Sequence, residues 1–271
     1  MQASEIKWHA NEIRKNIIQM ISEAKSGHPG GSLSATDILT VLYFDIMNIH
    51  ADNITSKDRD RFVLSKGHAA PALYATLAQA GLLAKEELKT YRKINTNLQG
   101  HPNKNEVTGV DMSTGSLGQG MSCAIGMALA NKIDKNTHHV YALVGDGECE
   151  EGQIWEGAMA AAHYHLDNLT VIVDYNQLQI DGAIQNVMNP TPIDEKFKAF
   201  GWHVLEVDGH DVQALQEVLH KEKRVMGKPT MILAHTIKGK GVSFMEHSAK
   251  WHGTPPSAEQ CIDALKELEV C

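Results

Sequence analysis

The sequence has 271 residues, of which 42% are hydrophobic and 21% are charged, and its formal net charge is −8. A chain of this size and composition can bury a large core, and we expect a soluble globular protein. It contains no block of lysine and arginine, which together with the negative charge argues against nucleic acid or an anionic membrane as a partner. No apolar run approaches the roughly 20 residues that a membrane-spanning helix needs.

The cysteines and the N-terminal segment indicate the cellular compartment. No two of the four cysteines have CxxC spacing, and the N-terminal segment lacks the apolar core of a signal peptide. We therefore expect a reduced, cytoplasmic protein.

The N-terminal part of the chain is predicted to be mostly helical. Apolar residues from Ile6 to Ala24 recur at spacings of three, four and seven, which predicts an amphipathic helix that ends at Gly27. The next predicted elements are a helix over 36–46, a strand over 61–65, and helices over 71–80 and 86–92. Residues 99–120 are rich in Gly, Ser, Thr, Pro and Asn, and a connection of this length is predicted to be functional rather than disordered.

Helices and strands alternate in the rest of the chain. The predicted elements are a helix over 119–132, a strand over 139–144, a helix over 152–165, strands over 169–174 and 202–207, a helix over 212–224 and a strand over 230–234. This alternation predicts an α/β fold in which a doubly wound parallel sheet is flanked by helices. A short amphipathic helix over 258–270 is expected to end the fold. Because no linker or change in composition divides the chain, residues 1–271 are predicted to form a single domain.

The candidate site begins at the tripeptide Gly145-Asp146-Gly147, which follows a predicted strand. Ligands of open parallel sheets lie at the carboxyl ends of the strands. An aspartate there can bind a hard cation, and the flanking glycines let phosphate oxygens approach the backbone. Alone, the tripeptide is more often a simple turn. Here it also opens a helix, whose N-terminus favours anions.

A second oxygen ligand is expected at the same edge of the sheet. Asn176 follows the next predicted strand, thirty positions after Asp146 in the chain. The two residues belong to one βαβ unit, and carboxylate and amide oxygens suit Mg²⁺. The sequence therefore predicts a metal site that bridges the protein to an anionic ligand.

This spacing of Gly-Asp-Gly and asparagine resembles the signature of thiamine diphosphate enzymes. Within that superfamily, further motifs resemble transketolase and occur in the transketolase order: Ser26-Gly27-His28-Pro29-Gly30, Ser65-Lys66-Gly67-His68, Gly100-His101-Pro102, Thr114 to Gly120, and Trp251-His252-Gly253. The resemblance covers nearly the whole chain and implies the thiamine diphosphate-binding fold. Where the family often has paired asparagines, this chain has Tyr175-Asn176, which leaves the metal assignment in place.

The resemblance implies a role for each group of site residues. It gives the metal to Asp146, Asn176 and the backbone carbonyl of Leu178, and the metal is expected to be Mg²⁺, for which Ca²⁺ or Mn²⁺ can substitute. Thiamine diphosphate binding is implied for His68, Gly115, Ser116, Leu117, Gly145, Gly147 and His252. Catalytic roles towards the sugar are implied for His28, His101 and His252. Glu151 matches a carboxylate that reaches across the subunit interface towards the second active site.

Fifteen histidines are present, so most of them are expected to be ordinary surface or core residues. His28, His68, His101 and His252 differ because each lies beside Gly or Pro in a loop. The histidines predicted to have no special role are His9, His50, His139, His163, His210 and His220. Lys238 belongs to a Lys-Gly-Lys-Gly turn that either is simply solvated or neutralises phosphate at the ligand edge.

The implied reaction transfers a two-carbon ketol unit from a ketose phosphate donor to an aldose phosphate acceptor. A complete transketolase carries two further domains, which supply the glutamate for the aminopyrimidine ring and most groups that bind the substrate phosphate. The resemblance therefore implies a split enzyme, with a C-terminal transketolase subunit that carries the pyrimidine-binding domain, assembled as an α2β2 heterotetramer. A trimmed longer chain is the alternative.

Two other functions remain open at this stage. Deoxyxylulose-phosphate synthase and dihydroxyacetone synthase share the cofactor chemistry, although the motifs at 65–68 and 251–253 favour transketolase. A non-catalytic, cofactor-binding regulatory module is an interpretation of a different class. The sequence does not specify which ketose donor and aldose acceptor are used.

Overall fold

The centre of the molecule is a five-stranded parallel sheet. The structure is a computed structural model that describes residues 1–222 and 225–269. The strands in chain order are β1 (Arg61–Leu64), β2 (Val140–Gly145), β3 (Leu169–Tyr175), β4 (Leu178–Gln179), β5 (Gly182–Ala183), β6 (His203–Asp208) and β7 (Thr230–His235). The sheet has the order β1-β2-β3-β7-β6, while β4 and β5 form a small antiparallel hairpin of their own.

Helices cover both faces of the sheet. They are α1 (Ala3–Ala24), α2 (Pro29–Val41), α3 (Ala70–Gln79), α4 (Gln119–Ile133), α5 (Gly152–His163), α6 (Ile184–Val187), α7 (Ile193–Ala199), α8 (Val212–Glu222) and α9 (Ala258–Glu269). One core cluster joins one face to α1, α2, α3, α8 and α9, and a second joins the other face to α4, α5 and α7. Successive strand residues point to opposite faces, so Leu143 belongs to the first cluster and Val144 to the second.

The handedness of the crossovers explains why helices lie on both faces. The chain runs from β2 to β3 and on to the edge strand β6 with α5 and α7 on one face, and then returns to β7 with α8 on the other face. Because parallel crossovers are right-handed, reversing direction along the sheet moves the connecting helix to the opposite face. The predicted doubly wound sheet is confirmed.

The register of the strands places four loops at the same edge of the sheet. Gly145 of β2 pairs with Asp174 of β3, and Tyr175 of β3 pairs with His235 of β7. Leu64, the last residue of β1, pairs with Leu143. The loops that follow β1, β2, β3 and β7 therefore meet at one edge of the sheet.

The helix predicted over 36–46 begins earlier than expected. In the structure α2 starts at Pro29 and continues to Val41, followed by a π-helical turn over Leu42–Ile46. Every residue of α2 is buried, so the segment lacks the alternation of polar and apolar residues that marks a surface helix. Pro29 occupies the first helical turn, where proline needs no hydrogen-bond partner.

Other boundaries differ in smaller ways. The helix predicted over 86–92 is a 3₁₀ segment, Lys85–Thr90, and Arg92 lies beyond it with a φ of 56°. The short helix α7 and the β4–β5 hairpin were not predicted, because neither is long enough to show a clear period. Residues 99–118 contain no described helix or strand, as expected of a loop.

Three predicted features reach beyond the described residues. These are the end of the helix over 212–224, the end of the tail helix over 258–270, and Cys271.

Cys123, Cys149 and Cys261 are free thiols. Within the ranges 1–222 and 225–269, no helix has the length and apolar character needed to cross a membrane.

A buried ion pair lies beneath the loop edge of the sheet. The Lys66 ammonium, just after β1, donates to the Asp174 carboxylate of β3, and both side chains are almost fully buried. Lys66 also donates to the backbone carbonyl of Gly31 at 2.9 Å. Asp174 accepts further hydrogen bonds from the Ser34 hydroxyl of α2 at 2.6 Å and from the Thr236 hydroxyl after β7. One carboxylate therefore joins α2 to three strand ends.

Hydrogen bonding keeps this carboxylate ionised. Burial acts to raise the pKa of Asp174, but the Lys66 ammonium and the hydroxyl donors outweigh it, so that the net shift is downward. We therefore expect the Asp174 carboxylate to be ionised at neutral pH.

Replacing Lys66 by methionine should destabilise the chain strongly. Lys66→Met leaves the Asp174 carboxylate buried without its cation, which typically costs about 3–5 kcal/mol. Urea unfolding of the purified chain, followed by circular dichroism, measures the change. Lys132→Met is a matched control, because its partly exposed pair with Asp167 should contribute about 1 kcal/mol or less. Equal losses in the two variants would contradict the role given to the buried pair.

Candidate active site

The four loops enclose a cleft of about 830 Å³ of empty space, including its open mouth. Among its lining residues are all three predicted metal ligands, two of the four selected histidines, and Lys238. The lining residues are Lys66, His68, Leu117, Gly145, Asp146, Gly147, Glu148, Glu150, Glu151, Asn176, Leu178, Gln179, Ile180, Lys238 and His252. Predicted site residues from distant parts of the sequence therefore line one cleft.

The predicted metal ligands lie at the ends of β2 and β3. Asp146 is 3% exposed and accepts hydrogen bonds from the backbone N–H groups of Gly147 (2.8 Å) and Gln177. The Asn176 side-chain oxygen accepts the Leu178 N–H at 3.1 Å. Each of these oxygens keeps lone-pair capacity for a cation. The set of a carboxylate, an amide oxygen and a backbone carbonyl fits a hard divalent ion that completes its coordination with phosphate and water.

The electrostatics around Asp146 also favour a cation. Burial, followed by the negative charge of Asp174, raises the pKa of Asp146 to about 6. A bound divalent ion would favour the ionised form and offset this shift. Within the described part of the chain, no group of three or more His, Cys, Asp and Glu side chains could hold a metal by itself. Asp146 is therefore a carboxylate that a divalent ion would keep ionised.

Lys238 is buried in the cleft rather than solvated. It is 2% exposed, and its ammonium donates to the Leu178 carbonyl at 2.9 Å. Burial, with the nearby Lys66 ammonium, lowers the pKa of Lys238 to about 8. A buried ammonium beside the predicted metal ligands is suited to contact an anion, so the solvated-turn interpretation is wrong.

Glu148 is a site residue that sequence analysis missed. Its side chain is 2% exposed and accepts hydrogen bonds from the Ser65 hydroxyl (2.5 Å) and from the backbone N–H groups of Gly118 (2.8 Å) and Gly145 (2.9 Å). Burial raises the pKa of Glu148, although these donors act against that shift. Glu148 holds together the loops after β1 and β2 and the start of α4. Its position two residues after Asp146 was the only available signal.

The four selected histidines form one cluster. The ring centroid of His28 lies 5.4 Å from that of His68, 5.5 Å from that of His252 and 6.3 Å from that of His101. The rings of His68 and His252 stack at 5.0 Å. Residues that are up to 224 positions apart in the chain therefore meet beside the cleft.

These histidines are neutral at neutral pH. Burial lowers the pKa of His28 to about 4 and that of His252 to about 3, and nearby cationic groups add to both shifts. Burial also lowers the pKa values of His68 and His101. Nδ1 of His28 and Nδ1 of His252 are buried and have no hydrogen-bond partner among the described residues. A polar ligand could satisfy these two nitrogens.

The Gly115 to Leu117 loop packs closely against the end of β1. A Cβ added to Gly67 would lie 2.7 Å from backbone atoms of Thr114 and Gly115, so only glycine fits there. Gly115 has a φ of 155° and passes close to the His101 ring. Leu117 lines the cleft, whereas Ser116 is exposed.

Glu151 lies at the mouth of the cleft. It is exposed at the residue preceding α5, where it lines the rim together with Glu150. Ile180, in the β4–β5 turn, is 63% exposed on the same rim. The rim therefore presents both charged and apolar side chains outward.

The sequence matches known proteins along almost its whole length. The family described as transketolase, thiamine diphosphate binding domain, matches residues 6–269. The 6-deoxy-6-sulfo-D-fructose transketolase subunit SqwG of Clostridium sp. (strain MSTE9) is 45% identical, and the match covers 99% of this chain and 98% of that protein. An apulose-4-phosphate transketolase subunit of Phocaeicola vulgatus is 43% identical, with 99% and 95% covered.

Complete transketolases match over only part of their length. Human transketolase is 43% identical, and the match covers 97% of this chain but 42% of the human protein. Transketolase from Campylobacter jejuni has a TM-score of 0.92 and is 34% identical, with 99% of this chain and 43% of that chain covered. Transketolase from Leishmania mexicana has a TM-score of 0.91 at 34% identity, with 97% and 41% covered.

These matches confirm the family, the fold and the correspondence to a transketolase subunit that the sequence predicted. They agree with the geometry of the site, in which Asp146 and Asn176 share one cleft with His68 and His252. The chain therefore belongs to the transketolase family, whose enzymes transfer two-carbon ketol groups, and carries the family's thiamine diphosphate binding domain.

Proposed function

We propose that this chain is the diphosphate-binding subunit of a two-chain transketolase that uses thiamine diphosphate and Mg²⁺. The main support is that the oxygen ligands Asp146 and Asn176 share one cleft with the neutral histidines His68 and His252. In this arrangement, residues that can bind a metal and its diphosphate lie beside histidines that can accept a proton from a sugar hydroxyl.

The residues that would hold the cofactor follow from the chemistry of the cleft. Asp146, Asn176 and the Leu178 carbonyl would bind the metal, and Ca²⁺ or Mn²⁺ could replace Mg²⁺ because all three ligands are oxygens. The Lys238 ammonium, His68 and the Gly115 to Leu117 loop would contact the cofactor. When bound, thiamine diphosphate supplies the carbanion chemistry that breaks and forms the bond between C2 and C3 of a ketose.

The histidine cluster would bind and deprotonate the sugar. His28 and His252 are neutral and have free Nδ1 atoms, so that each can accept a proton or a hydrogen bond from a sugar hydroxyl. An anionic group bound beside Lys66 and Lys238 would offset part of the nearby positive charge. The pKa values of His28 and His252 would then rise towards the ordinary value of histidine. His101, next to His28, would bind a further hydroxyl.

A partner subunit would complete the active site. The described acidic residues of the cleft, Asp146, Glu148, Glu150 and Glu151, lie around the metal edge and the rim, and none is assigned to an aminopyrimidine ring. We therefore assign that carboxylate and most phosphate-binding groups to a C-terminal transketolase subunit, in an α2β2 heterotetramer. The exposed Glu151 would reach into the interface. The names of the Clostridium and Phocaeicola relatives support this, since both proteins are called subunits.

The proposed substrates are ketoses and aldoses that carry an anionic group. One relative is named for a sulfonated fructose and another for apulose 4-phosphate. Both names describe sugars with an acidic substituent, and we assign recognition of that substituent mainly to the partner subunit. The free thiols of Cys123, Cys149 and Cys261 support a reducing, cytoplasmic location.

Loss of Asp146 should abolish metal and cofactor binding together. In Asp146→Ala the diphosphate would face the site without a cation held between it and the protein. Titration calorimetry with thiamine diphosphate and Mg²⁺ should show no tight binding, and chelator-treated wild-type chain should behave likewise. Asp58→Ala is the matched control, because Asp58 precedes β1 at the opposite end of the strands. Tight binding to Asp146→Ala would refute the metal assignment.

Loss of His28 or His252 should affect the sugar and not the cofactor. His28→Ala and His252→Ala should each lower turnover by roughly 10²-fold, the usual scale for a lost acid or base, with cofactor affinity nearly unchanged. Steady-state kinetics of the two-chain enzyme and calorimetry of the cofactor separate the two effects. His163→Ala, on the exposed end of α5, should retain wild-type rates. An equal loss of cofactor affinity would count against the assignment.

The chain by itself should be catalytically silent. Saturated with Mg²⁺ and thiamine diphosphate, the chain should not transfer a ketol unit from xylulose 5-phosphate or fructose 6-phosphate to an aldose, because no described carboxylate of its cleft is assigned to the aminopyrimidine. Activity should appear once the partner chain is present, and a panel of ketose donors would then identify the substrate. Activity of the isolated chain near that of complete transketolases would refute the two-chain proposal.

A further inference from the structure

Behind the cleft, Asp37 of α2 binds two basic side chains from distant parts of the chain. The Arg14 guanidinium of α1 donates to both carboxylate oxygens, at 3.1 and 2.6 Å. Nδ1 of His210, in the loop after β6, lies 2.7 Å from one of those oxygens. Asp37 is 5% exposed and Arg14 is 8% exposed. Burial acts to raise the pKa of Asp37, but Arg14 and His210 lower it to about 2, so the carboxylate is ionised.

The second nitrogen of His210 reaches the loop that carries Lys238. The backbone N–H of Ile237 donates to Nε2 of His210 at 2.8 Å. An imidazole nitrogen that accepts a hydrogen bond carries no proton, so the proton of the neutral ring is on Nδ1 and points to Asp37. The histidine thus links a buried carboxylate to a backbone amide one residue before Lys238.

The same loop is held at several points around Lys238. Its carbonyl accepts from the His247 N–H at 3.0 Å, and the next residue, Gly239, donates to the Gly30 carbonyl at 3.0 Å. The stem of Lys238 packs against Gly30, where an added Cβ would lie 2.9 Å from its Cγ. Arg14 donates to the Lys240 carbonyl at 3.2 Å. The Asp37 system therefore contacts the loop on both sides of Lys238.

We propose that Asp37 and His210 form a positioning dyad that sets the backbone at Ile237, so that the Lys238 ammonium is directed into the cleft. His210 does not line the cleft and acts through Lys238. Asp37 would hold the imidazole as the Nδ1–H tautomer, and Nε2 would hold the amide. The expected effect of the dyad on thiamine diphosphate binding rests on the proposed function. The hydrogen bond between His210 and the Ile237 backbone does not.

Two variants of His210 separate positioning from simple packing. In His210→Asn the side-chain amide can still donate to Asp37, but no acceptor reaches Ile237. In His210→Gln the longer amide can place an oxygen where Nε2 was, which keeps an acceptor for Ile237. His220→Asn is the matched control, because His220 contacts Asp45 with more than half of its side chain exposed.

The first readout is hydrogen exchange of the Ile237 amide in the purified full chain. His210→Asn should speed this exchange by roughly tenfold or more, while His210→Gln and His220→Asn should stay near wild type, because exchange follows local hydrogen-bond opening. Equal exchange in the Asn and Gln variants would overturn the dyad, since the histidine would then act only by filling space.

The second readout is affinity for thiamine diphosphate with Mg²⁺, measured by calorimetry. His210→Asn should weaken cofactor binding towards the affinity of Lys238→Met. The double variant should bind no more weakly than Lys238→Met alone, because both substitutions remove the same contact between the Lys238 ammonium and the cofactor. Fast Ile237 exchange with unchanged affinity in His210→Asn would overturn the positioning role. If the wild-type chain bound no cofactor, the proposed function would fail, and the exchange experiment alone would decide whether the dyad exists.

Discussion

The site depends on the buried ion pair between Lys66 and Asp174. Asp174 sits at the end of the central strand β3 and binds groups from α2, from the end of β1 and from the end of β7. A buried carboxylate is tolerated only when it is paired and fully hydrogen-bonded. The requirement to satisfy this one charge therefore brings the loops of β1, β3 and β7 to fixed positions, and the cleft lies directly above them.

Charge balance in the cleft supports the proposal that a metal and an anion bind there together. The lysines Lys66 and Lys238 lie beside the carboxylates Asp146 and Asp174, so neither an anion nor a cation alone finds a purely complementary surface. Burial, together with cationic groups near the cleft, lowers the pKa values of His28 and His252. Neutral imidazoles can accept protons, which is the property that sugar chemistry needs.

Two further groups support the loops that form the cleft. Glu148 joins the loops after β1 and β2 to the start of α4, and the Asp37–His210 pair holds the loop after β7. Glu148 accepts hydrogen bonds from backbone N–H groups directly, whereas Asp37 is proposed to act on the backbone through His210. Such preorganisation matters because small displacements of catalytic groups cost large factors in rate.

The sequence alone determined the family and the parallel α/β sheet, because strand periodicity and motif spacing are local properties. It also predicted Asp146 and Asn176 as metal ligands, and the fold places both residues in one cleft. It also selected the four loop histidines that the fold brings together. It could not show the start of α2, since a helix buried on all sides has no amphipathic pattern. The roles of Glu148, Asp174 and His210 depend on partners that lie up to 173 positions away in the chain. Only the tertiary structure decides such contacts, because the pairing of a buried charge is set by packing and not by its neighbours in the chain.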